Sequence, residues 1–149
     1  MKNILIFALR LSMGWLFLYA GITKVLNPDW TSAGYLKGAQ TFSELYQFLA
    51  SPGIVSFVDF GNQWGLTLIG ISLILGIFVR FSSIFGAILM LLYYFPVLNF
   101  PYVGEHSLLV EEHIIYALAL GLLAAIGAGK IWGIDGKILQ TRSVLRKLV

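Results

Sequence analysis

The chain has 149 residues, of which 58% are hydrophobic and only 11% are charged, and its formal net charge is +3. Since soluble domains carry about 25% charged residues, this composition excludes an ordinary soluble enzyme and predicts one integral membrane domain over residues 1–149. The absence of cysteine excludes disulfides, thiolate metal sites and iron–sulfur clusters.

Four hydrophobic segments predict membrane spans. A helix needs about 20 apolar residues to cross a bilayer, and the segments cover approximately residues 4–22, 54–79, 82–98 and 108–128. The second segment reaches that length only if it includes Asp59, Asn62 and Gln63. The pattern contains no convincing strand, so the expected fold is all-α, an integral membrane four-helix bundle.

One face of the first segment carries two cations on an otherwise apolar helix. Steps of four, three, four and three residues place five side chains within an arc of about 80°: Arg10, Gly14, Phe17, Gly21 and Lys24. A cation within a bilayer costs roughly 2.5–3.5 kcal/mol, so Arg10 must have a partner. That partner is either an acidic or carbonyl group that locks helices together, or a substrate or cofactor.

The segments outside the predicted spans also carry helical patterns. Residues 25–53 begin with a turn and continue with apolar residues at helical spacing. They predict either an amphipathic helix between spans 1 and 2, on the membrane or over the bundle, or an ordinary packed loop helix. Residues 137–149 are basic and imperfectly amphipathic, which predicts a C-terminal surface helix on anionic lipid headgroups.

The distribution of charge predicts the orientation. With an even number of spans, both termini share one side with most of the basic residues: Lys2, Arg80, Lys130, Lys137, Arg142, Arg146 and Lys147. The opposite side holds only Lys24 and Lys37, together with several acidic residues. The positive-inside rule therefore predicts a multi-pass protein of the plasma membrane with both termini in the cytoplasm.

The predicted outer end gathers most of the residues that are capable of chemistry. Glu112 and Tyr116 lie one helical turn apart with His113 beside them, so these three form either a proton relay or a hydrogen-bonded lock on the bundle end. Asp59 and Asn62 lie near the same end and are candidate substrate-binding residues together with Arg10 and Lys24.

Cofactor signals are weak throughout the chain. His106 and His113 stand seven residues apart, with His106 expected in a loop, and no ligand motif surrounds them, so neither haem nor another metal is predicted. No glycine-rich fingerprint follows a strand, so no flavin is predicted. The glycines instead indicate close helix packing, with Gly61 and Gly65 as a small-xxx-small pair.

Three stretches of the sequence resemble the DoxX/DoxD membrane family. The stretch RLSMGWLFLYAGITKVLNP carries the Arg, Gly, Phe, Gly and Lys of that family's opening signature at Arg10 to Lys24. The stretches SAGYLKGA and VEEHIIYALALGLLAAIGAGKIWGIDG are more particularly similar to the DoxD branch. The resemblance implies a four-helix membrane bundle. For the DoxD branch it implies the quinone-reacting subunit of an enzyme that oxidises thiosulfate to tetrathionate, together with a second subunit, DoxA.

We therefore expect a DoxD-like subunit of a quinone-linked oxidoreductase. Arg10 and Lys24 would bind thiosulfate or a quinone carbonyl, and Glu112, His113 and Tyr116 would manage protons. The expected partners are membrane lipid, quinone, a small anion such as thiosulfate, and a DoxA-like subunit or larger respiratory complex, with no nucleic acid. The alternatives are an accessory subunit without chemistry and, more weakly, a small carrier or channel.

Overall fold

The computed structural model describes residues 1–104 and 107–147, with side chains up to residue 141. The helices are α1 (Lys2–Val25), α2 (Ala33–Lys37), α3 (Ser43–Leu49), α4 (Val55–Leu75), α5 (Val79–Val97), α6 (Glu112–Ala125) and α7 (Ile134–Lys147), with a 3₁₀ turn at Ala128–Lys130. Three antiparallel strands of two residues each lie between α5 and α6: β1 (Leu98–Asn99), β2 (Tyr102–Val103) and β3 (Ser107–Leu108). The expectation that the chain has no strands was wrong at this short sheet.

Three of these helices, α1, α4 and α5, are long and apolar enough to cross a membrane. The fourth predicted span, 108–128, is helical only over Glu112–Ala125, which is about 21 Å of helix. It starts late because Ser107 and Leu108 pair with β2. It ends early because Gly127 adopts a left-handed conformation with φ of 61°.

The helices α1, α4, α5 and α6 share one apolar core. Its fully buried side chains include Phe17 from α1, Leu73 from α4, Val79 from α5 and Leu120 from α6. A second, smaller cluster consists of Leu36, Ala39, Tyr46 and Ala50, and it packs against Phe95 of α5.

The contacts at the two ends of the bundle show that these four helices alternate in direction. At one end, the guanidinium of Arg10 contacts the carbonyl oxygen of Ala128 just after α6, and it lies beside Gly76 at the end of α4. At the other end, Lys24 shares a cavity with Asn62, Tyr93 and His113, which belong to α4, α5 and α6. We refer to these as the Arg10 end and the Lys24 end. On α1 they are about 21 Å apart, since 14 residues separate the two cations.

Close packing of α1 on α4 depends on glycines other than the pair that the sequence suggested. A Cβ atom at Gly70 would lie 2.6 Å from Cα of Leu18, and one at Gly21 would lie 2.9 Å from Cα of Thr67. In contrast, no atom lies within 4 Å of a Cβ atom at Gly61 or Gly65, so that prediction was wrong. The sequence could not distinguish these glycines because the spacing does not reveal which face meets a neighbour.

The connection between α1 and α4 contains two short helices rather than one continuous amphipathic helix. Gly38 ends α2, and Phe42 adopts a left-handed backbone with φ of 53° before α3 begins. The connection covers the Lys24 end, since the hydroxyl of Tyr46 donates to the carbonyl oxygen of Leu92 at 2.9 Å. Burial raises the pKa of Tyr46, so this hydroxyl remains protonated at neutral pH.

The predicted C-terminal helix is present as α7, and its side chains from Lys137 to Thr141 are exposed. The side chains of Arg142, Arg146 and Lys147, like Glu105 and His106, lie outside the described residues.

We expect Gly70→Ala to destabilise the protein by about 1–3 kcal/mol, because the added methyl group must push α1 away from α4. The matched control is Gly65→Ala, where the Cβ atom meets open space and the helix gains up to about 1 kcal/mol of intrinsic propensity. Thermal unfolding of both variants in detergent tests this, and equal midpoints would contradict the assigned interface.

Candidate functional site

Arg10 is a structural cation at one end of the bundle. Its side chain is only 1% exposed. Its Nη1 donates to the carbonyl oxygens of Ala128 at 3.0 Å and Ile131 at 3.1 Å, and its Nη2 donates to that of Trp132 at 3.4 Å. Backbone carbonyl oxygens at the carboxyl end of a helix carry partial negative charge, which favours a cation there. The structure thus shows a carbonyl contact between helices, which is one of the partners that the sequence left open for Arg10.

Asp135 supports the same end of the bundle. One carboxylate oxygen accepts from the backbone N–H of Phe78 at 2.9 Å, and the other accepts from that of Val79 at 3.1 Å. Asp135 thus caps the start of α5 from α7. Gly133 lies against the guanidinium, since a Cβ atom there would be 2.6 Å from Nη1 of Arg10. Sequence analysis missed Asp135 because its partners lie 56 and 57 residues earlier in the chain.

The Lys24 end holds a cavity of about 290 Å³ that we call the Lys24 pocket. Its lining combines aromatic rings with a few polar groups: Lys24, Trp30, Thr31, Ser32, Tyr35, Asn62, Tyr93, Val97 and His113. These residues come from α1, α2, α4, α5 and α6 and from the segment that leads into α2. The pocket therefore exists only when the whole bundle is assembled.

Hydrogen bonds and ring contacts fix the aromatic wall of the pocket. The hydroxyl of Tyr93 donates to Oδ1 of Asn62 at 2.7 Å, and the hydroxyl of Tyr35 donates to the carbonyl oxygen of Tyr93. The Tyr93 ring also meets the rings of Tyr35 and His113 edge to face, with centroids 6.2 and 5.7 Å apart. Burial, with smaller contributions from Glu111 and Tyr46, raises the pKa of Tyr35 to about 12. Its hydroxyl therefore stays a neutral donor at physiological pH.

Lys24 lies at the edge of the pocket and is half-buried. Its Nζ donates to the carbonyl oxygen of Ala20 at 3.1 Å and lies 5.4 Å from the ring centroid of Trp30. The ammonium group carries three N–H donors, and only one of them is used within the described part of the chain, so the group can bind a ligand as well.

His113 is held by Glu111, the residue that begins α6. Nδ1 of His113 lies 2.6 Å from Oε1 of Glu111, and the same oxygen accepts from the backbone N–H of His113 at 3.1 Å. The carboxylate thus caps the helix and favours the proton on Nδ1, which leaves Nε2 as the nitrogen for a ligand. Sequence analysis predicted Glu112 to manage protons together with His113 and Tyr116, and the side chain of Glu112 is exposed.

A second cavity lies on the other side of His113. Its volume is about 450 Å³, and its lining is Val97, Val103, Gly104, Ser107, Glu111, Glu112 and His113. Val97 and His113 line both cavities, so they form the wall between them. We call this space the acidic cavity.

The structure brings together only part of the predicted site. Lys24, Asn62 and His113 line the Lys24 pocket, and Asp59 lies behind it, where it accepts hydrogen bonds from the N–H and the hydroxyl of Ser32 at 2.8 and 2.5 Å. Tyr116 lines neither described cavity, and Arg10 lies at the opposite end. Three aromatic residues were missed, Trp30, Tyr35 and Tyr93, and Glu111 was not among the candidate site residues. An acidic residue directly before an apolar helix was the available signal for Glu111.

One group of carboxylate and imidazole side chains at the Lys24 end could in principle bind a metal ion. Glu111, Glu112 and His113 each offer an atom within 4.8 Å of the others. The hydrogen bond between Glu111 and His113 accounts for their proximity, and we assign no metal role to them.

Replacing Arg10 should unfold the Arg10 end. We expect Arg10→Ala to cost about 3 kcal/mol or more, because three carbonyl groups lose a charged donor. Arg10→Lys should recover only part of this loss, since a single ammonium group cannot reproduce the planar fork. Thermal unfolding in detergent measures both, with exposed Lys37→Ala as the control. Wild-type stability in Arg10→Ala would overturn the structural role.

A known protein family matches the part of the chain that contains Arg10 and most residues of the Lys24 pocket. The family model described as DoxX matches residues 5–98, from α1 to the start of β1. No curated protein and no solved structure matches the chain. The match includes Arg10, Lys24, Asn62 and Tyr93, whereas α6 with Glu111 and His113 lies beyond it. Because the match spans more than half of the chain, this membrane protein belongs to the DoxX family.

Proposed function

We propose that this chain is a DoxD-like membrane subunit that binds quinone in the Lys24 pocket and accepts electrons from thiosulfate. The observation that carries the proposal is the composition of that pocket, which has aromatic walls formed by Trp30, Tyr35 and Tyr93 and polar groups at Lys24 and His113. Sites for small apolar molecules with polar ends combine features of this kind. A quinone has a flat apolar ring with a carbonyl group on each side, so it suits such a lining.

The size of the pocket supports a headgroup rather than a whole lipid-soluble quinone. Pockets for drug-sized ligands start at about 300 Å³, and the Lys24 pocket has about 290 Å³. The ring would occupy the pocket, and the isoprenoid tail would extend outside it.

The proposed function fits a chain that crosses the membrane four times. The helix α6 leads from the Lys24 end to the Arg10 end, the same two levels that α1 connects. We infer that α6, extended by the residues on either side of it, also crosses the membrane. Both termini would then lie on one side, and the basic residues at the Arg10 end support a cytoplasmic location for that side.

The chemistry requires both electrons and protons. Two thiosulfate ions joined as tetrathionate release two electrons, and a quinone takes up two electrons and two protons to become a quinol. In our proposal each proton passes from the acidic cavity to His113 and from its Nε2 to a quinone oxygen. Glu111 holds the ring for this transfer, and Glu112, which the sequence suggested for proton delivery, lines the acidic cavity.

Thiosulfate is a dianion, and Lys24 is the only cation among the described residues that line the Lys24 pocket. Glu111 and Asp59 lie nearby, so the pocket on its own is poorly suited to a dianion. This supports a DoxA-like second subunit that supplies further cationic groups for thiosulfate.

An accessory subunit without chemistry is the second candidate. It is favoured by the fact that both cations of the conspicuous face of α1 already have protein partners: Arg10 donates to three backbone carbonyl oxygens and Lys24 to one. On this alternative the pocket would have no role in turnover.

Substitutions in the pocket separate these two candidates. If the chain reacts with quinone, we expect Lys24→Ala to raise the KM for a soluble quinone analogue by about tenfold, since a charged hydrogen bond contributes about 1.5–3 kcal/mol. The assay follows thiosulfate-dependent quinone reduction by protein purified with its second subunit, and Lys37→Ala is the control. Wild-type KM and kcat in Lys24→Ala would favour the accessory role.

The two adjacent glutamates provide a sharper test of proton transfer. Glu111→Gln should lower kcat by about a hundredfold, the lower range for loss of acid–base assistance, with little change in KM. Glu112→Gln should lower kcat by less than Glu111→Gln does, since the side chain of Glu112 is exposed and Glu111 is the carboxylate bound to Nδ1 of His113. Nitrogen NMR of labelled histidine reports the tautomer of His113 independently of turnover. The assignment fails if the two variants have equal kcat and the same His113 tautomer.

A further inference from the structure

The Arg10 end contains a third cavity that the proposed function does not use. Its volume is about 450 Å³, and it lies where α6, α7 and the start of α5 meet. Its lining divides into an apolar part and a basic part. The apolar part includes Ala125 and Ile126 of α6 and Ile138 and Leu139 of α7, and the basic part consists of Arg80 and Lys130. We call it the basic groove.

The two cations of the basic groove are available to a ligand. Arg80 and Lys130 are exposed, and neither has a hydrogen-bond or ion-pair partner among the described residues. The side chain of Lys130 folds back over Gly127, where its Nζ would lie 3.9 Å from an added Cβ atom. This places the ammonium group near the carboxyl end of α6, which favours a cation.

The acidic residue in the groove is already engaged. Both carboxylate oxygens of Asp135 accept backbone N–H groups at the start of α5, at 2.9 and 3.1 Å. Its carboxylate is therefore engaged at that helix end, and no acidic side chain of the described residues forms an ion pair with Arg80 or Lys130.

An apolar stripe leads from the groove along the outside of α6. Leu118, Leu122 and Ile126 follow at steps of four residues, so they lie on one face of the helix, and all three are exposed. Ile126 is also part of the groove wall. A ligand held here would meet two cations at one end and a continuous apolar surface at the other.

From this arrangement we propose that the basic groove binds one molecule of an anionic phospholipid. The phosphate would lie between Arg80 and Lys130, and an acyl chain would lie along the stripe on α6. A free anion could satisfy the two cations but would leave the stripe unused, whereas a zwitterionic lipid would bring a positive group toward both cations. The combination of the two features therefore favours an anionic amphiphile. The proposal does not depend on the quinone reaction.

The test is the thermal stability and lipid retention of the full chain in detergent. Phosphatidylglycerol should raise the unfolding midpoint and remain bound in native mass spectra, whereas phosphatidylcholine with the same acyl chains should do neither. Inorganic phosphate is the control for a simple anion site. An equal effect of phosphatidylcholine, or of phosphate, would overturn the proposal.

Variants locate the binding site. Arg80→Gln with Lys130→Gln should weaken phosphatidylglycerol binding by about tenfold or more, because each interfacial cation contributes appreciably to the attraction. Lys137→Gln removes one exposed positive charge from α7 outside the groove and should keep wild-type binding. Ile126→Trp keeps both cations but fills the apolar side, and it should also weaken binding. Retained binding in the double variant, or equal loss in Lys137→Gln, would contradict the groove as the site.

Discussion

The contact between Arg10 and the carbonyl groups that follow α6 determines how the bundle is assembled. It joins the first membrane helix to residues 118 or more positions later in the chain. An unpaired guanidinium within an apolar bundle would cost several kcal/mol, and so would carbonyl groups without donors. Each charged hydrogen bond contributes about 1.5–3 kcal/mol net. These hydrogen bonds offset both costs, and they form only when α6 ends beside Arg10 of α1.

The glycines around this contact explain why it can form. Gly129 and Gly133 follow α6 and leave no space for a side chain, because Asp135 and Arg10 lie against them. At Gly76, the left-handed backbone with φ of 69° ends α4 directly beside the guanidinium. The Arg10 end is thus closely packed polar backbone around one cation. The Lys24 end holds the Lys24 pocket and the acidic cavity, so the bundle is anchored through Arg10 at one end and carries the candidate site at the other.

Much of the fold followed from hydropathy and charge. The apolar segments at residues 4–22, 54–79 and 82–98 correspond to α1, α4 and α5, which are long and apolar enough to cross a membrane. The fourth segment was too long because its ends depend on contacts with β2 and on the conformation of Gly127. Similarly, the helical spacing between α1 and α4 was correct, but Phe42 interrupts it with a left-handed backbone that spacing does not indicate.

The candidate site was only partly predictable from the sequence, because it too depends on contacts between different helices. Lys24, Asn62 and His113 stood out as polar residues near the ends of apolar segments, and the structure places them around one pocket. Trp30, Tyr35 and Tyr93 did not stand out, because aromatic residues are common in such a sequence. The choice between Glu111 and Glu112 depended on which residue begins α6, and helix ends are the least certain part of a pattern.

The sequence by itself determined that this chain is a membrane protein with its cations at specific depths of a first apolar helix. Composition and periodicity suffice for this, because the bilayer imposes the same length and polarity on every span. Only the tertiary structure decided the partners: backbone carbonyl groups for Arg10, and an aromatic pocket for Lys24. These partners lie on other helices, and which helix faces meet depends on packing that no local pattern contains.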